Sequence, residues 1–114
     1  MELISKQYTN LKELPFDVYL LLLDVTSEFS IVKGIEIYLF GSYSKLIFNE
    51  NSDVDLAILT TDNLDKMKIK KKIRKMEKLY GKSIELHFFV KKLFYKNKKD
   101  PLVKEILKNG LKLI

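Results

Sequence analysis

The chain has 114 residues and a mass of 13.4 kDa, a size that predicts one domain, residues 1–114, with a single core. It contains no cysteine, which excludes a disulfide framework, a thiolate zinc site and a cysteine nucleophile. Hydrophobic residues make up 46% and charged residues 32% of the sequence, the composition of a soluble globular protein. With no apolar run of bilayer length and no signal-peptide pattern, we expect a cytoplasmic location and no membrane contact.

Positive charge is concentrated in the second half of the chain. Residues 61–114 carry 17 of the 21 cations, and all of the 21 except Arg74 are lysines. Such a block indicates either a polyanionic or acidic partner or a solvated helix face. Lysine lacks the bidentate geometry that base and phosphate recognition usually exploit. The solvated face is therefore the favoured interpretation, and direct nucleic-acid binding is not expected.

The first predicted element is a helix from Phe16 to about Phe29, with Pro15 in its first turn. Apolar residues follow helical spacing on two faces, so the helix needs cover on two sides. One side is expected to face a sheet. The other is expected to face a second protein chain, in a homo- or hetero-oligomer, or the C-terminal segment.

Two strands and a turn are predicted next. Residues 35–40 are rich in β-branched and aromatic residues, which is typical of a strand. A turn-rich stretch, residues 41–52, leads to a second strand over residues 53–59. The alternation of this second strand places Asp53, Asp55 and Ala57 on one face, with apolar side chains on the other.

The second half of the chain predicts two helices, one before and one after a third strand. Asp62 is the expected N-cap of a helix that runs to about Tyr80. Residues 83–90 form a strand, and residues 91–99 form a basic connector with a short helical turn. Asp100 caps a last helix that ends at Gly110. The order α-β-β-α-β-α predicts a small mixed β-sheet with helices packed against it, in the α/β (α+β) class.

A pair of acidic residues after a Gly-Ser turn is the most informative pattern. The first strand ends in Gly41-Ser42, and Asp53 and Asp55 follow after a ten-residue loop. Two carboxylates at i and i+2 of a strand lie roughly 7 Å apart along the chain, so both can reach one or two divalent ions. Mg²⁺ takes one or two protein carboxylates and completes its shell with water and phosphate oxygens. The glycine allows close backbone approach, and the Ser42 hydroxyl and nearby N–H groups can bind phosphate.

This arrangement resembles the DNA polymerase β-like nucleotidyltransferase superfamily. Its signature is an apolar residue, Gly-Ser, about ten loop residues and Asp-apolar-Asp-apolar, which stands here as Phe40-Gly41-Ser42 and Asp53-Val54-Asp55-Leu56. The closest similarity is to the minimal nucleotidyltransferases, and it extends from the leading helix to the closing segment. The resemblance implies the polymerase β-like fold, with Mg²⁺ or Mn²⁺ as cofactor and ATP as nucleotide substrate.

The family also carries a third carboxylate on a later strand. Glu85 is the only candidate in a strand context, and with Asp53 and Asp55 it would complete a catalytic site that binds two metal ions. His87, the only histidine, shares the predicted face of Glu85. It is interpreted either as a catalytic base or as a strand residue at the edge of the site.

The turn itself agrees with the family at one position and departs from it at another. Gly41, Ser42 and Lys45 are the expected nucleotide-binding residues, because the family often has a basic residue in this loop. Leu46 stands where the family commonly has glycine, and a leucine could narrow or reshape the triphosphate pocket.

The resemblance implies transfer of AMP from ATP to a hydroxyl of a partner protein. Minimal nucleotidyltransferases of this kind resemble the antitoxins of two-gene systems whose partners are HEPN-domain toxins. Two alternatives remain open at this point. One is an antitoxin that binds its toxin without modifying it, for which Leu46 is the reason. The other, ranked last, is a metal-dependent nuclease, which leaves Gly41-Ser42 without a role.

Overall fold

The computed structural model describes residues 13–61 and 65–114. Within these residues helices and strands alternate along the chain, and we label each kind in chain order. The elements are α1 (Phe16–Phe29), β1 (Glu36–Phe40), β2 (Val54–Thr60), α2 (Lys66–Tyr80), β3 (Ile84–Val90), α3 (Lys91–Lys96), α4 (Pro101–Asn109) and β4 (Leu111–Lys112).

The four strands form one mixed sheet in the order β3-β2-β1-β4. Strands β1 and β2 are antiparallel, with Phe40 opposite Asp55, whereas β2 and β3 are parallel, with Asp55 opposite Glu85. A parallel pair requires a crossover connection, and α2 supplies it between β2 and β3. The predicted mixed sheet with packed helices is confirmed.

Helices cover both faces of this sheet. On one face, the alternate residues Val54, Leu56 and Ile58 of β2 pack with the buried sides of α1 and α2. On the other face, Ala57 and Leu59 pack with apolar side chains of α3 and α4. The alternation predicted for this strand is therefore confirmed from Val54 onward, and Asp55 alternates with the residues of the α3/α4 side.

The helix ends follow ordinary capping chemistry. The carboxylate of Asp65 accepts hydrogen bonds from the backbone N–H groups of Met67 and Lys68, so α2 begins at Lys66. Asp62, the predicted cap, lies outside the described residues. Asp100 caps α4 in the same way, with Pro101 in the first turn, as predicted.

Two elements go beyond the prediction. The helical turn predicted in the basic connector is a six-residue helix, α3, and the chain after Gly110 adds a short strand, β4, which was not predicted, to the free edge of β1. The second side of α1, which the sequence predicted to need cover, is exposed among the described residues. Phe16 is 73% exposed and Leu20 is 36% exposed. Residues 13–61 and 65–114 thus provide cover for only one side of this helix. None of the helices in this described part is long and apolar enough to cross a membrane.

Candidate active site

The sheet register assembles the polar residues of the site. Asp55 lies opposite Glu85 on the parallel neighbour β3, and on its other side it lies opposite Phe40, the last residue of β1. Gly41 follows Phe40 immediately and so begins the turn beside Asp55. Three separate segments of the chain meet at this end of the sheet.

One carboxylate from each of two strands and one imidazole form a compact group. Ligand atoms of Asp55, Glu85 and His87 all lie within 4.8 Å of one another. Within the group, Nε2 of His87 lies 3.4 Å from Oε1 of Glu85. The residue types and spacing fit a divalent cation, because oxygen and imidazole nitrogen are common metal ligands in proteins.

Asp55 lies in an environment that disfavours its negative charge. Burial, followed by the charge of the neighbouring Glu85 carboxylate, raises the pKa of Asp55 from 3.8 to about 6. The negative charge of Asp53 acts in the same direction. Two carboxylates held this close are costly unless a cation offsets them. The site therefore favours binding of a divalent cation between Asp55 and Glu85.

The predicted metal-binding set is only partly brought together. Asp55 and Glu85 are neighbours, as expected from the spacing, but Asp53 is exposed and is not a member of the compact group. It precedes Val54, the first residue of β2, and so takes no part in the pairing of that strand. His87 occupies the third place in the group, and its i+2 spacing from Glu85 was the sequence signal for this position.

The turn after β1 is fitted closely against Asp55. Gly41 has φ +78°, and a Cβ at this position would collide with Oδ2 of Asp55. Its carbonyl oxygen accepts hydrogen bonds from the backbone N–H of Lys45 and from the hydroxyl of Ser44, at 3.3 Å and 3.0 Å. The carbonyl of Ser42 accepts from the N–H of Ile47 at 3.0 Å. Glycine is needed here both for the backbone conformation and for the space that the carboxylate occupies.

The two remaining turn residues have distinct environments. Nζ of Lys45 lies 2.8 Å from Oε1 of Glu105 on α4, so the predicted phosphate ligand has a carboxylate partner within the chain. Sequence reasoning did not identify Glu105, which no short motif connects to the turn. Leu46 has φ +58° and a side chain that is 42% exposed. The leucine thus adopts a left-handed backbone conformation that glycine adopts more readily.

Comparison with known proteins agrees with this geometry. A family model described as "Nucleotidyltransferase domain" matches residues 21–114. No curated protein sequence matches the chain. A crystal structure of a toxin–antitoxin with AMP-PNP is similar with a TM-score of 0.57 and 26% identity, over 82% of this chain and 70% of that chain. The toxin–antitoxin MntA-HepT is similar with a TM-score of 0.53 and 21% identity, over 83% of this chain and 70% of that chain.

Proposed function

Because the family model covers residues 21–114, the chain belongs to the nucleotidyltransferase domain family, and we propose that it transfers AMP from ATP to a hydroxyl of a partner protein. The observation that carries the proposal is the juxtaposition of Asp55 and Glu85 with the Gly41 turn fitted against Asp55. A carboxylate pair can hold a divalent cation, and an adjacent turn that carries the Ser42 hydroxyl and the Lys45 ammonium group can hold phosphates. The two together provide what nucleotidyl transfer requires.

The similar crystal structures support the choice of nucleotide and partner. One of them contains a toxin–antitoxin with AMP-PNP, an analogue of ATP, and it is 26% identical to this chain. We therefore propose ATP as the nucleotide substrate and a toxin of the HEPN class as the acceptor. In this proposal the chain acts as the antitoxin of the pair.

Each residue of the site has a role in the proposed reaction. The Ser42 hydroxyl and the Lys45 ammonium group bind the phosphate oxygens and orient the α-phosphate. Asp53, Asp55 and Glu85 would hold Mg²⁺ or Mn²⁺, which when bound neutralises phosphate charge and lowers the pKa of the acceptor hydroxyl. The acceptor oxygen forms a bond to the α-phosphorus while the bond to the bridging oxygen breaks. Pyrophosphate leaves with that electron pair, and the hydroxyl proton passes to a site carboxylate or to water.

The exposed side of α1 is the proposed contact for the partner. Phe16 and Leu20 lie on this side, and their exposure means that a second chain can bury them. In this proposal the partner binds the exposed side of α1 and brings its own hydroxyl to the Asp55–Glu85 pair. This proposal also accommodates an oligomer that forms through α1.

Leu46 is the specific reason to keep a second candidate, an antitoxin that binds without transferring. A leucine at φ +58° costs of order 1 kcal/mol relative to glycine. The turn nevertheless retains hydrogen bonds across it, including one of 3.2 Å from the N–H of Leu46 to the carbonyl of Tyr43. Because the turn keeps this backbone geometry, transfer remains the better supported function.

The decisive experiment incubates the purified chain with its candidate HEPN toxin, ATP and Mg²⁺, and measures the intact mass of the toxin. We expect the toxin to gain the mass of AMP, with the Asp55→Asn variant as the inactive control. A stable complex with no gain of mass would establish the binding-only candidate. Cleavage of RNA or DNA by the chain alone would instead establish the nuclease, which is the last-ranked function.

The ion pair between Lys45 and Glu105 gives a prediction for ATP binding. Glu105 holds the ammonium group that we assign to the phosphates, and it also accepts a hydrogen bond of 3.1 Å from Asn109. The variant Glu105→Gln removes the competing charge but keeps the acceptor for Asn109. We expect the KM for ATP to fall about two- to fivefold, with kcat unchanged, in steady-state assays of AMP transfer.

A matched control for this prediction is Glu28→Gln. It removes a similarly exposed ion pair, in which Nζ of Lys72 lies 3.1 Å from Glu28, on a different part of the surface. The KM for ATP should not change in this variant. An unchanged or increased KM in Glu105→Gln would show that Glu105 does not compete with phosphate for Lys45.

A further inference from the structure

We propose that His87 is a metal ligand, and that with Asp55 and Glu85 it forms a mixed carboxylate–imidazole site that prefers Mn²⁺ to Mg²⁺. The proposal deepens the function proposed above and rests on it, because it concerns the metal specificity of the same site. The starting observation is the position of the His87 imidazole beside Asp55 and Glu85. The expected set of three carboxylates did not include this imidazole.

The strand geometry directs His87 toward the carboxylates. Glu85 and His87 are two residues apart on β3 and therefore lie on the same face of the sheet. Their partners on β2 are Asp55 and Ala57. The methyl group of Ala57 is small and fully buried, so a larger side chain does not separate His87 from Asp55. This placement brings the ligand atoms of the three residues within 4.8 Å of one another.

The surroundings of the ring also favour ligation. The rings of Phe40 and His87 meet edge to face, with centroids 5.2 Å apart and planes inclined at 68°. This contact restricts the imidazole on one side, while Nε2 lies 3.4 Å from Oε1 of Glu85 on the other. The nitrogen that would bind the metal is thus held at the carboxylate group before any ion is bound.

Replacing an oxygen ligand with an imidazole nitrogen changes which ion a site selects. Mg²⁺ strongly prefers oxygen ligands and keeps several waters. Imidazole binds first-row transition ions well, and Mn²⁺ also accepts the carboxylates that Mg²⁺ uses. Two carboxylates and one imidazole therefore favour Mn²⁺, whereas the carboxylates alone would be suited to Mg²⁺.

The test measures binding of the metal alone to the full chain. The electron paramagnetic resonance signal of free Mn²⁺ gives the Kd for Mn²⁺, and displacement by Mg²⁺ gives the Kd for Mg²⁺. The variant His87→Gln should weaken Mn²⁺ binding about tenfold and Mg²⁺ binding less than about twofold. Circular dichroism verifies that the variant is folded. Glu85→Gln serves as the comparison, since loss of a carboxylate should weaken both ions.

The ratio of the two dissociation constants separates ligation from a structural role. If His87 merely orients Glu85, the variant will weaken both ions equally and the ratio will not change, which overturns the proposal. If the ratio is unchanged and the wild-type chain still transfers AMP with Mg²⁺, the proposal for His87 is wrong and the proposed function stands. Failure of the wild-type chain to bind either ion overturns both the proposal and the metal site. If His87→Gln does not fold, the wild-type chain still tests the proposal. A wild-type Kd for Mn²⁺ that is equal to or higher than the Kd for Mg²⁺ contradicts the proposal.

Discussion

Replacing Asp55 with asparagine should lower the rate of AMP transfer by about 10³-fold or more, equivalent to about 4 kcal/mol of transition-state stabilisation. Asp55 joins two parts of the site, because it lies opposite Glu85 in the sheet and against the Gly41 turn. An asparagine retains the shape of the side chain but lacks the charge that would hold a divalent cation. The measurement is transfer of radiolabelled AMP from ATP to the partner under single-turnover conditions.

The same variant should remain folded, which separates chemistry from stability. Asp24→Asn is the matched control, because Asp24 lies on α1 and accepts a hydrogen bond of 3.2 Å from Tyr80, which an amide oxygen can also accept. It should transfer AMP at the wild-type rate. Near-normal transfer by Asp55→Asn would remove the metal-binding role of this carboxylate and with it the proposed mechanism.

The pKa of Asp55 predicts how the stability of the metal-free protein depends on pH. Burial, followed by the charge of Glu85, raises the pKa from 3.8 to about 6 in the folded state. The folded protein therefore holds the proton more tightly, and stability is lost as the pH rises from about 4 through 6. Above that range Asp55→Asn should be more stable than the wild type in EDTA by about 1 kcal/mol, after allowance for solvent screening of a partly exposed group.

The elements that could be predicted from the sequence are those with a strong local signal. β2 alternates strictly between polar and apolar residues near its start, and α2 carries Ile69, Ile73 and Met76 at helical spacing, which the structure buries. Helix α3 was predicted only as a short helical turn of the basic connector, and strand β4 was not predicted. β4 has only two residues, Leu111 and Lys112, and it exists because β1 offers a free edge. Such pairing depends on tertiary contact and leaves no local pattern.

The candidate site also has features that the sequence predicts and features that only the fold reveals. The Gly-Ser turn and the Asp55–Glu85 pair follow from motif and register, so the sequence predicted them correctly as neighbours. The position of Asp53 outside the compact group depends on which residue begins the strand pairing. The motif spacing does not determine where that pairing begins. The pair between Lys45 and Glu105 joins residues 60 positions apart in the sequence. Side-chain pairing over such a separation can be determined only from the fold.

Replacing Gly41 with alanine should lower both the rate of AMP transfer and the free energy of unfolding, because it changes the backbone of the turn beside Asp55. The residue has φ +78°, and the added Cβ would collide with Oδ2 of Asp55. Either the turn or the carboxylate must move, and a displacement of about 1 Å in a positioned group lowers rates about 10²-fold. We expect that loss in kcat for AMP transfer. The free energy of unfolding should also fall, by about 1 kcal/mol for the left-handed conformation alone and by more for the collision.

Gly81→Ala separates these two effects, because Gly81 has φ +64° and an added Cβ there would meet open space among the described residues. It carries the conformational cost without the collision, so its unfolding free energy should fall by about 1 kcal/mol while kcat stays at the wild-type value. Both variants are compared by urea denaturation and by single-turnover transfer. If Gly41→Ala matches Gly81→Ala in both measurements, the turn does not position Asp55. If it loses activity well beyond its loss of stability, the close approach of the turn to the carboxylate is a requirement of the chemistry.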